Sequence, residues 1–411
     1  MKEKARLLFV THLFYPAVGG VEIHIKNLSA GLVKRGYRVK VLTTNAYSTV
    51  AFFLGDKRRI DKTAETIDGT EVERLGFKTF GSRILNKLCL FACRVKYPFN
   101  SWIRFLSFGP RNRRFIDKII AHNPDVIFAA PLPNLNVYYA YKAAKRLKKP
   151  LVIIPSYHIF DPCCFYNKIF FKMMREADIV MAQSPMEKDY LAKEGSIDAD
   201  KIIILPPFPL KEHQLEPVMR DKTGIRQRYG IEEKFVVLYL GQHGPHKNIS
   251  PVLEGMKYVW QDIKDTALVI AGGITPYTKT LKNQAARLEK KCQGKVYFLD
   301  NFPEKEKDAV FQMADIFISL SEMESFGIVF VEAMNNGLPV IASKNCVARY
   351  IVDDFKTGIL VNPASITEVA GALIELLSDK SVRDKYSQWA RQKVKDTCHP
   401  GHILKKWEEV I

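Results

Sequence analysis

Short apolar runs alternate with helical segments along this chain, and the alternation occurs in two series. The first opens with "ARLLFVTHL", a Pro/Gly loop "FYPAVGG", and a segment in which Val21, Ile25, Leu28 and Leu32 recur at helical spacing before Gly36. "YRVKVLTTN" follows, completing a strand–helix–strand unit, and such a unit predicts a parallel sheet. "PDVIFAAP", "PLVIIPSYH", "ADIVMAQS" and "KIIILPP" continue the series. From Leu205 to Glu233 no apolar period is visible and the stretch begins with "PPFP", which reads as a linker. "FVVLYLG", "ALVIAGG", "KVYFLD", "ADIFISLS" and "LPVIAS" then form a second series, and the end of the chain reads as helical from about Ile366. The expected fold class is α/β, with two doubly wound domains. The expected boundaries are 1–207, a linker over 208–233, a second domain over 234–390, and a helical tail over 391–411 that can pack back on the first domain. In open α/β sheets ligands sit at the carboxyl ends of the strands, so a site is expected there, in a cleft where two such sheets face.

The totals agree with a soluble globular protein. The 411 residues suit two domains, and a hydrophobic share of 47% with 26% charged residues allows a sizeable core without disulfide or metal staples. The seven cysteines are odd in number and lack metal-type spacing, Cys89 and Cys93 falling in an apolar run and Cys163 and Cys164 being adjacent. They read as reduced thiols of a cytosolic protein. "MKEKARLLFV" reads as a buried first strand rather than a secretion leader. The net charge of +18 implies an acidic partner. It is concentrated: Gly81 to Lys118 holds nine Lys/Arg and one acid, Asp117, with seven aromatics among them. Cations interleaved with rings suit the headgroup layer of an anionic membrane, with Arg104, Arg111, Arg113 and Arg114 as its main contacts. No nucleic-acid motif accompanies the charge, so no nucleic-acid partner is expected.

The chemistry concentrates in "SEMESFGIVFVEAMNNGLPV". A strand turns into a helix here, expected from about Phe326 to Asn335, with Gly337 beyond its end. Glu324 stands at the strand's carboxyl end, and Glu332 about two helical turns on. Carboxylates accept from vicinal hydroxyls, and the free N–H groups near Phe326 and Gly327 suit an anion. "GQHGPHKN" follows another strand; Gly241 and Gly244 allow close backbone approach, and Lys247 can reach a phosphate. Gly19 and Gly20 open the first helix, and His158 ends a strand, with Asp161 nearby. "DAD" at 198–200 and "VDD" at 352–354 read as surface turns, so no metal site is expected.

"ESFGIVFVEAMNNGLPVIAS" resembles the signature of glycosyltransferase family 4, a family of GT-B fold: a Glu, seven residues and a second Glu, with Phe-Gly after the first and Gly-x-Pro-Val after the second. "FYPAVGGVEIHI", "PSYHIFDP" with "READIVMAQSPMEKDYL", "LGQHGPHKN" and "NFPEKEKDAVFQMADIFISLSE" resemble further segments of the family. The resemblance implies a retaining, metal-independent transferase without cofactor, working on a UDP- or GDP-type sugar donor. It implies catalytic roles for Glu324, His158 and Lys247. Donor contacts are implied for Gly19, Gly20, Gly241, Gln242, Lys247, Phe326, Gly327 and Glu332, with Glu324 on the sugar and Glu332 on the ribose. Two positions depart from the pattern: Gln242 stands where the family carries Arg, and Asn248 where it carries Gly. Either His243, His246 or another residue makes up the missing charge, or leaving-group activation is weaker. The acceptor is expected to be a saccharide or lipid-linked saccharide, and the protein cytoplasmic and peripheral on the inner membrane face. The competing readings are a sugar-nucleotide epimerase of the same fold and a non-enzymatic basic protein binding anionic membrane or nucleic acid.

Overall fold

The computed structural model describes residues 4–17, 19–53, 57–79, 100–207 and 221–411, with Ile84, Lys87, Leu88 and Phe91 between. Cys89, Cys93 and residues 208–220 of the expected linker lie outside the described residues. The chain divides into two units, Met1–Pro209 with Pro400–Ile411, and Leu210–His399.

In the first unit, β1 (Arg6–Thr11), β2 (Arg38–Thr44), β3 (Ala64–Ile67), β4 (Thr70–Leu75), β5 (Val126–Ala130), β6 (Leu151–Ile153), β7 (Ile179–Ala182) and β8 (Ile202–Ile204) form one sheet in the order β3-β4-β2-β1-β5-β6-β7-β8. Every pair is parallel except β3–β4. β1 shows why its run is apolar throughout. Successive side chains point to opposite faces, so Leu8 and Val10 enter one core while Leu7 and Phe9 enter the other. The β3–β4 hairpin, absent from the sequence reading, turns at Asp68 and Gly69, both at positive φ (48° and 81°). An Asp-Gly pair favours that geometry, so "TIDGTEV" did carry the signal.

The second unit holds β9 (Phe235–Leu240), β10 (Thr266–Gly272), β11 (Lys295–Asp300), β12 (Ile316–Ser319), β13 (Val340–Ser343) and β14 (Gly358–Val361), all parallel, in the order β11-β10-β9-β12-β13-β14. Val236 and Leu238 of β9 pack with Phe330 and Val331 on one face, and Val237 and Tyr239 with Leu253 and Val369 on the other. β14 is the other strand that the sequence reading lacks; "GILV" is too short to show a period.

The end of the chain belongs to both units. The helix Lys380–Cys398 runs through the expected boundary at 390, because Ala390, Val394 and Cys398 share a face buried in the second unit. Pro400 ends it: the preceding His399 is extended (φ −61°, ψ 122°), as a residue before proline prefers. The final helix, Pro400–Glu408, then packs in the first unit. Its Trp407 lies against Phe9 and Phe128, with ring centroids at 6.4 and 5.6 Å, and Glu408 pairs with Lys4 and Arg35 at 3.0 and 2.9 Å.

One expectation for the basic stretch needs correction. Arg104 is no interface cation: it is buried, and its guanidinium donates to the carbonyls of Pro162, Cys163 and Tyr166, tying the helix Asn100–Ser107 to the segment after β6. Arg113 and Arg114 are exposed, and Arg111 is half-buried. The part of this stretch over 92–99 lies outside the described residues. Among the described residues no helix is long and apolar enough to cross a membrane.

Gly272, at the end of β10, has φ +139°, and a Cβ there would stand 2.0 Å from the carbonyl oxygen of Gly241. Gly272→Ala is therefore expected to lower stability by about 3 kcal/mol, combining backbone strain with a clash against main chain. Urea unfolding measures it; an unchanged midpoint would show that the two loops separate freely.

Candidate active site

In the second sheet the chain order reverses beside β9, whose neighbours are β10 and β12. Loops that leave the carboxyl ends of β9 and β12 diverge around a crevice, the place where open α/β sheets bind ligands. The loop after β9 is held by the end of β10 and by Tyr239. Gly241 N–H donates to Ala271 O at 2.9 Å, Tyr239 OH to Gln242 O at 3.1 Å, and His243 N–H to Gly273 O at 2.9 Å. Lys247 ends the short turn Pro245–Lys247, and Asn248 follows at φ 51°. Glycine and asparagine both adopt this left-handed conformation, so the departure at 248 keeps the backbone geometry. The Asn248 amide adds what glycine lacks: it donates to Leu320 O at 3.0 Å and to Glu322 Oε2 at 3.1 Å, stitching the β9 loop to the β12 loop. Asn345 Nδ2 holds the other Glu322 oxygen at 3.0 Å.

Lys247 and Glu324 meet across this crevice. Nζ lies 2.6 Å from Oε1, and each side chain is 17% exposed, so the pair is shielded yet reachable. Beyond Glu324, Phe326 is buried in the core and offers only its backbone. Gly327 has φ +90°, and a Cβ there would meet the Phe330 ring at 2.5 Å; the backbone itself demands glycine, besides any ligand approach. The helix Ile328–Asn335 starts at once, without a side-chain cap, and Gly337 follows its end at φ +72°. Glu332 is buried in this helix and pairs with Lys307 at 2.6 Å, Lys307 also reaching Glu304 at 3.5 Å. Burial opposes the Lys307 charge, but Glu332 and Glu304 outweigh it and raise its pKa. Lys307 was not singled out in the sequence, because its partner lies on an element distant in the chain.

His243 does not replace the missing arginine. It is buried, its Nδ1 lies 3.2 Å from Thr278 Oγ1, and desolvation lowers its pKa, so it stays neutral. His246 is exposed on the turn. Among the described residues no group of three His, Cys, Asp or Glu side chains could hold a metal ion.

The first sheet reverses order at β1, between β2 and β5. Asn136 bridges this point, donating to Val10 O at 3.1 Å and Ala130 O at 2.6 Å. Gly19 precedes the helix Gly20–Lys34, whose buried Glu22 lies 3.7 Å from His12 Nε2. Burial lowers His12 to about 3 and raises Glu22 to about 7, its own backbone N–H opposing. His158, half-buried after β6, packs its ring 5.1 Å from Phe165. Its loop is organised by Glu187, a buried carboxylate raised to about 7 by desolvation against two N–H bonds, from Gln183 at 2.6 Å and Tyr157 at 2.8 Å. "SPME" marks Glu187 as a helix-start residue, yet its carboxylate reaches outward to two strand ends, which spacing does not reveal. Asp161 caps a short helix through Cys164 N–H at 3.1 Å. Thus Lys247, Glu324, Gln242, Gly241, Phe326 and Gly327 gather at one sheet edge with Glu332 behind them. Gly19, Gly20 and His158 lie at the corresponding edge of the first sheet.

Two doubly wound units with ligand-ready loops at their switch points are the arrangement of the GT-B fold. A family model for "Glycosyltransferase Family 4" matches residues 18–208 and one for "Glycosyl transferases group 1" matches 221–393. The chain belongs to glycosyltransferase family 4. It is 26% identical over 407 residues to the sulfoquinovosyl transferase SQD2 of Arabidopsis thaliana, covering 95% of this chain and 70% of that protein. It is 23% identical over 388 residues to the alpha-monoglucosyldiacylglycerol synthase of Streptococcus pneumoniae, covering 90% and 78%. Among solved structures, Anabaena HepE in complex with UDP and glucose superposes with a TM-score of 0.74 at 20% identity, over 99% of both chains.

The buried Glu22 carboxyl predicts a pH signature. Its pKa of about 7 lies above the ordinary 4.5, so the folded state keeps a proton that the unfolded chain releases. Its contribution to stability is full below pH 4.5 and is lost as pH rises through about 7. Relative to Glu22→Gln, the parent should lose on the order of 2–3 kcal/mol between pH 4.5 and 8. His12 titrates with the opposite sign and lower, and is common to both proteins. Parallel urea midpoints across this range would rule the assignment out.

Proposed function

We propose that this chain moves a sugar from a nucleotide-diphosphate donor of UDP or GDP type to a saccharide or lipid-linked saccharide acceptor. The anomeric configuration is retained, and no divalent ion is required. The observation that carries this reading is the Lys247–Glu324 pair, closed at 2.6 Å beside an uncapped helix start. Each partner neutralises the other until a donor arrives. The diphosphate then takes over Lys247 and the N–H groups after Gly327, and Glu324 turns to the hydroxyls of the transferred sugar. Gly241 and Gln242 line the diphosphate with main chain, and Phe326 contributes its backbone.

Breaking the anomeric C–O bond gathers negative charge on the leaving diphosphate. Lys247 and the helix start stabilise that charge where it develops. Glu324 holds the oxocarbenium-like sugar by its hydroxyls, so that orientation rather than covalent attack lowers the barrier. The acceptor enters from the leaving-group face, and the departing phosphate takes its proton. Glu332, steadied by Lys307, turns its free oxygen to the ribose hydroxyls. Gly19 and Gly20 approach the donor or acceptor from the first unit, and His158 contacts the transferred sugar. The relative from Streptococcus pneumoniae is named for a glycolipid product, which favours a lipid-linked acceptor and work at a membrane surface.

Glu324→Gln should lower kcat by about a hundredfold or more while the unfolding midpoint holds, since one hydrogen-bonding group in a reacting site is worth that much. Glu332→Ala should act on the donor KM instead. Normal turnover by folded Glu324→Gln would remove the central assignment. Product analysis by NMR should show the donor's anomeric configuration kept, with the rate unchanged in chelator. Inversion, or activity that only restored magnesium or manganese recovers, would refute the proposed mechanism.

A further inference from the structure

The first unit contains a cavity of about 1150 Å³ that the donor chemistry leaves unused. It lies at the carboxyl end of β4, and its walls come from Glu73–Lys78, the helix Asn100–Ser107, and the starts of the helices Arg114–His122 and Leu135–Leu147. An antiparallel bridge joins Lys78 to Arg111, with Lys78 N–H donating to Arg111 O at 3.1 Å. This contact brings Lys78 to the same wall as Arg113 and Arg114.

The charges of this wall are unbalanced. Arg74 is committed to Glu65, at 2.6 Å, and Lys118 to Glu73, at 2.7 Å. Glu73 is the cavity's acidic side chain among the described residues, and Lys40 and His122 also hold it, at 3.4 and 2.9 Å. Lys78, Arg113 and Arg114 line the cavity, are exposed, and have no carboxylate partner among the described residues. Trp102 lines the same cavity and is 58% exposed, although its neighbour Phe105 is buried. An exposed indole and three cations lining one cavity suit a ligand with an anionic end and an apolar face.

We propose that this cavity is the acceptor subsite and takes a phosphate ester of a sugar. The phosphate sits on Lys78, Arg113 and Arg114, and the C–H face of the pyranose lies on Trp102. Guanidinium groups match phosphate oxygens in paired N–H bonds, and a doubly charged group answers several cations on one wall better than one carboxylate. The cavity adjoins the carboxyl edge of its sheet, the edge that also carries Gly19 and His158. The inference rests on the transferase reading, since it names the acceptor of that reaction.

Calorimetric titration of the full chain with glucose 6-phosphate and with glucose tests the soluble form of this ligand. Flotation with phosphatidylcholine vesicles carrying phosphatidylinositol, or phosphatidylserine at equal charge, tests the lipid form. The same measurements are made on Lys78→Ala/Arg113→Ala/Arg114→Ala and on Trp102→Ala, whose exposed positions should leave the unfolding midpoint in place. Binding of glucose 6-phosphate but not glucose, weakened about tenfold or more in both variants, supports the proposal with a soluble acceptor. Preference for phosphatidylinositol over phosphatidylserine, lost in both variants, supports it with a lipid acceptor. Equal binding to both vesicles shows diffuse surface charge and overturns it. Binding that the variants leave intact, or no binding of any probe, overturns it as well. UDP and GDP titrations on the same proteins separate the two claims. Absence of nucleotide binding by the parent would sink the transferase reading whatever the cavity does.

Discussion

Parallel strand pairing is the constraint on which the rest of this structure depends. A strand can pair in parallel with the next only if the chain crosses back over a face of the sheet, so all strands but the antiparallel β3 end at the same edge of their sheet. In both units the loops that bear the candidate site residues leave from that edge: after β1 and β6 in the first, after β9 and β12 in the second. The crossovers cover both faces, and the strands are apolar on both sides in consequence. β9 divides its side chains between two cores, as β1 does. Polar chemistry is thereby driven out of the sheet and into the edge loops, where N–H groups and side chains are free to meet a ligand.

Charges at these edges are almost all held in pairs, for a physical reason. A lone charge taken out of water costs several kcal/mol, so a shielded loop can carry a lysine or a glutamate only beside its opposite. Lys247 with Glu324 and Lys307 with Glu332 obey this rule, and the Glu187 carboxylate takes two backbone N–H groups instead. The pairs have different consequences. Lys307 and Glu332 are deep, and fix the helix that bears Glu332. Lys247 and Glu324 join two loops on opposite sides of a switch point, where a ligand's own charge can compete for either partner. The wall of Lys78, Arg113 and Arg114 breaks the rule without cost because it is exposed to water.

The two departures from the family pattern have unlike meanings. Asn248 preserves the left-handed backbone that glycine would allow, and adds a side chain that ties two loops together. Gln242 gains no charge from its neighbour: His243 is buried against Thr278, and burial lowers its pKa. Lys247 is then the cation that the β9 loop brings to Glu324.

Sequence alone determined the elements whose signal is local. Doubly buried strands read as unbroken apolar runs, helices as a 3.6-residue period, and the Glu324–Glu332 stretch as a strand turning into a helix. It also carried the hairpin of β3 and β4 in Asp68-Gly69, although charged alternation there hides the strands. Tertiary structure decided whatever depends on residues distant in the chain. It alone paired Lys247 with Glu324, and Lys307 with Glu332. It buried Arg104 among carbonyls although the charge count reads it as a surface cation, and brought Lys78 beside Arg111. It returned Trp407 from the end of the chain to Phe9 in the first strand. Local propensity acts over a few residues and leaves its mark on spacing. Ion pairs and cavity walls join segments up to several hundred residues apart, and their partners exist only once the sheets have set the edges.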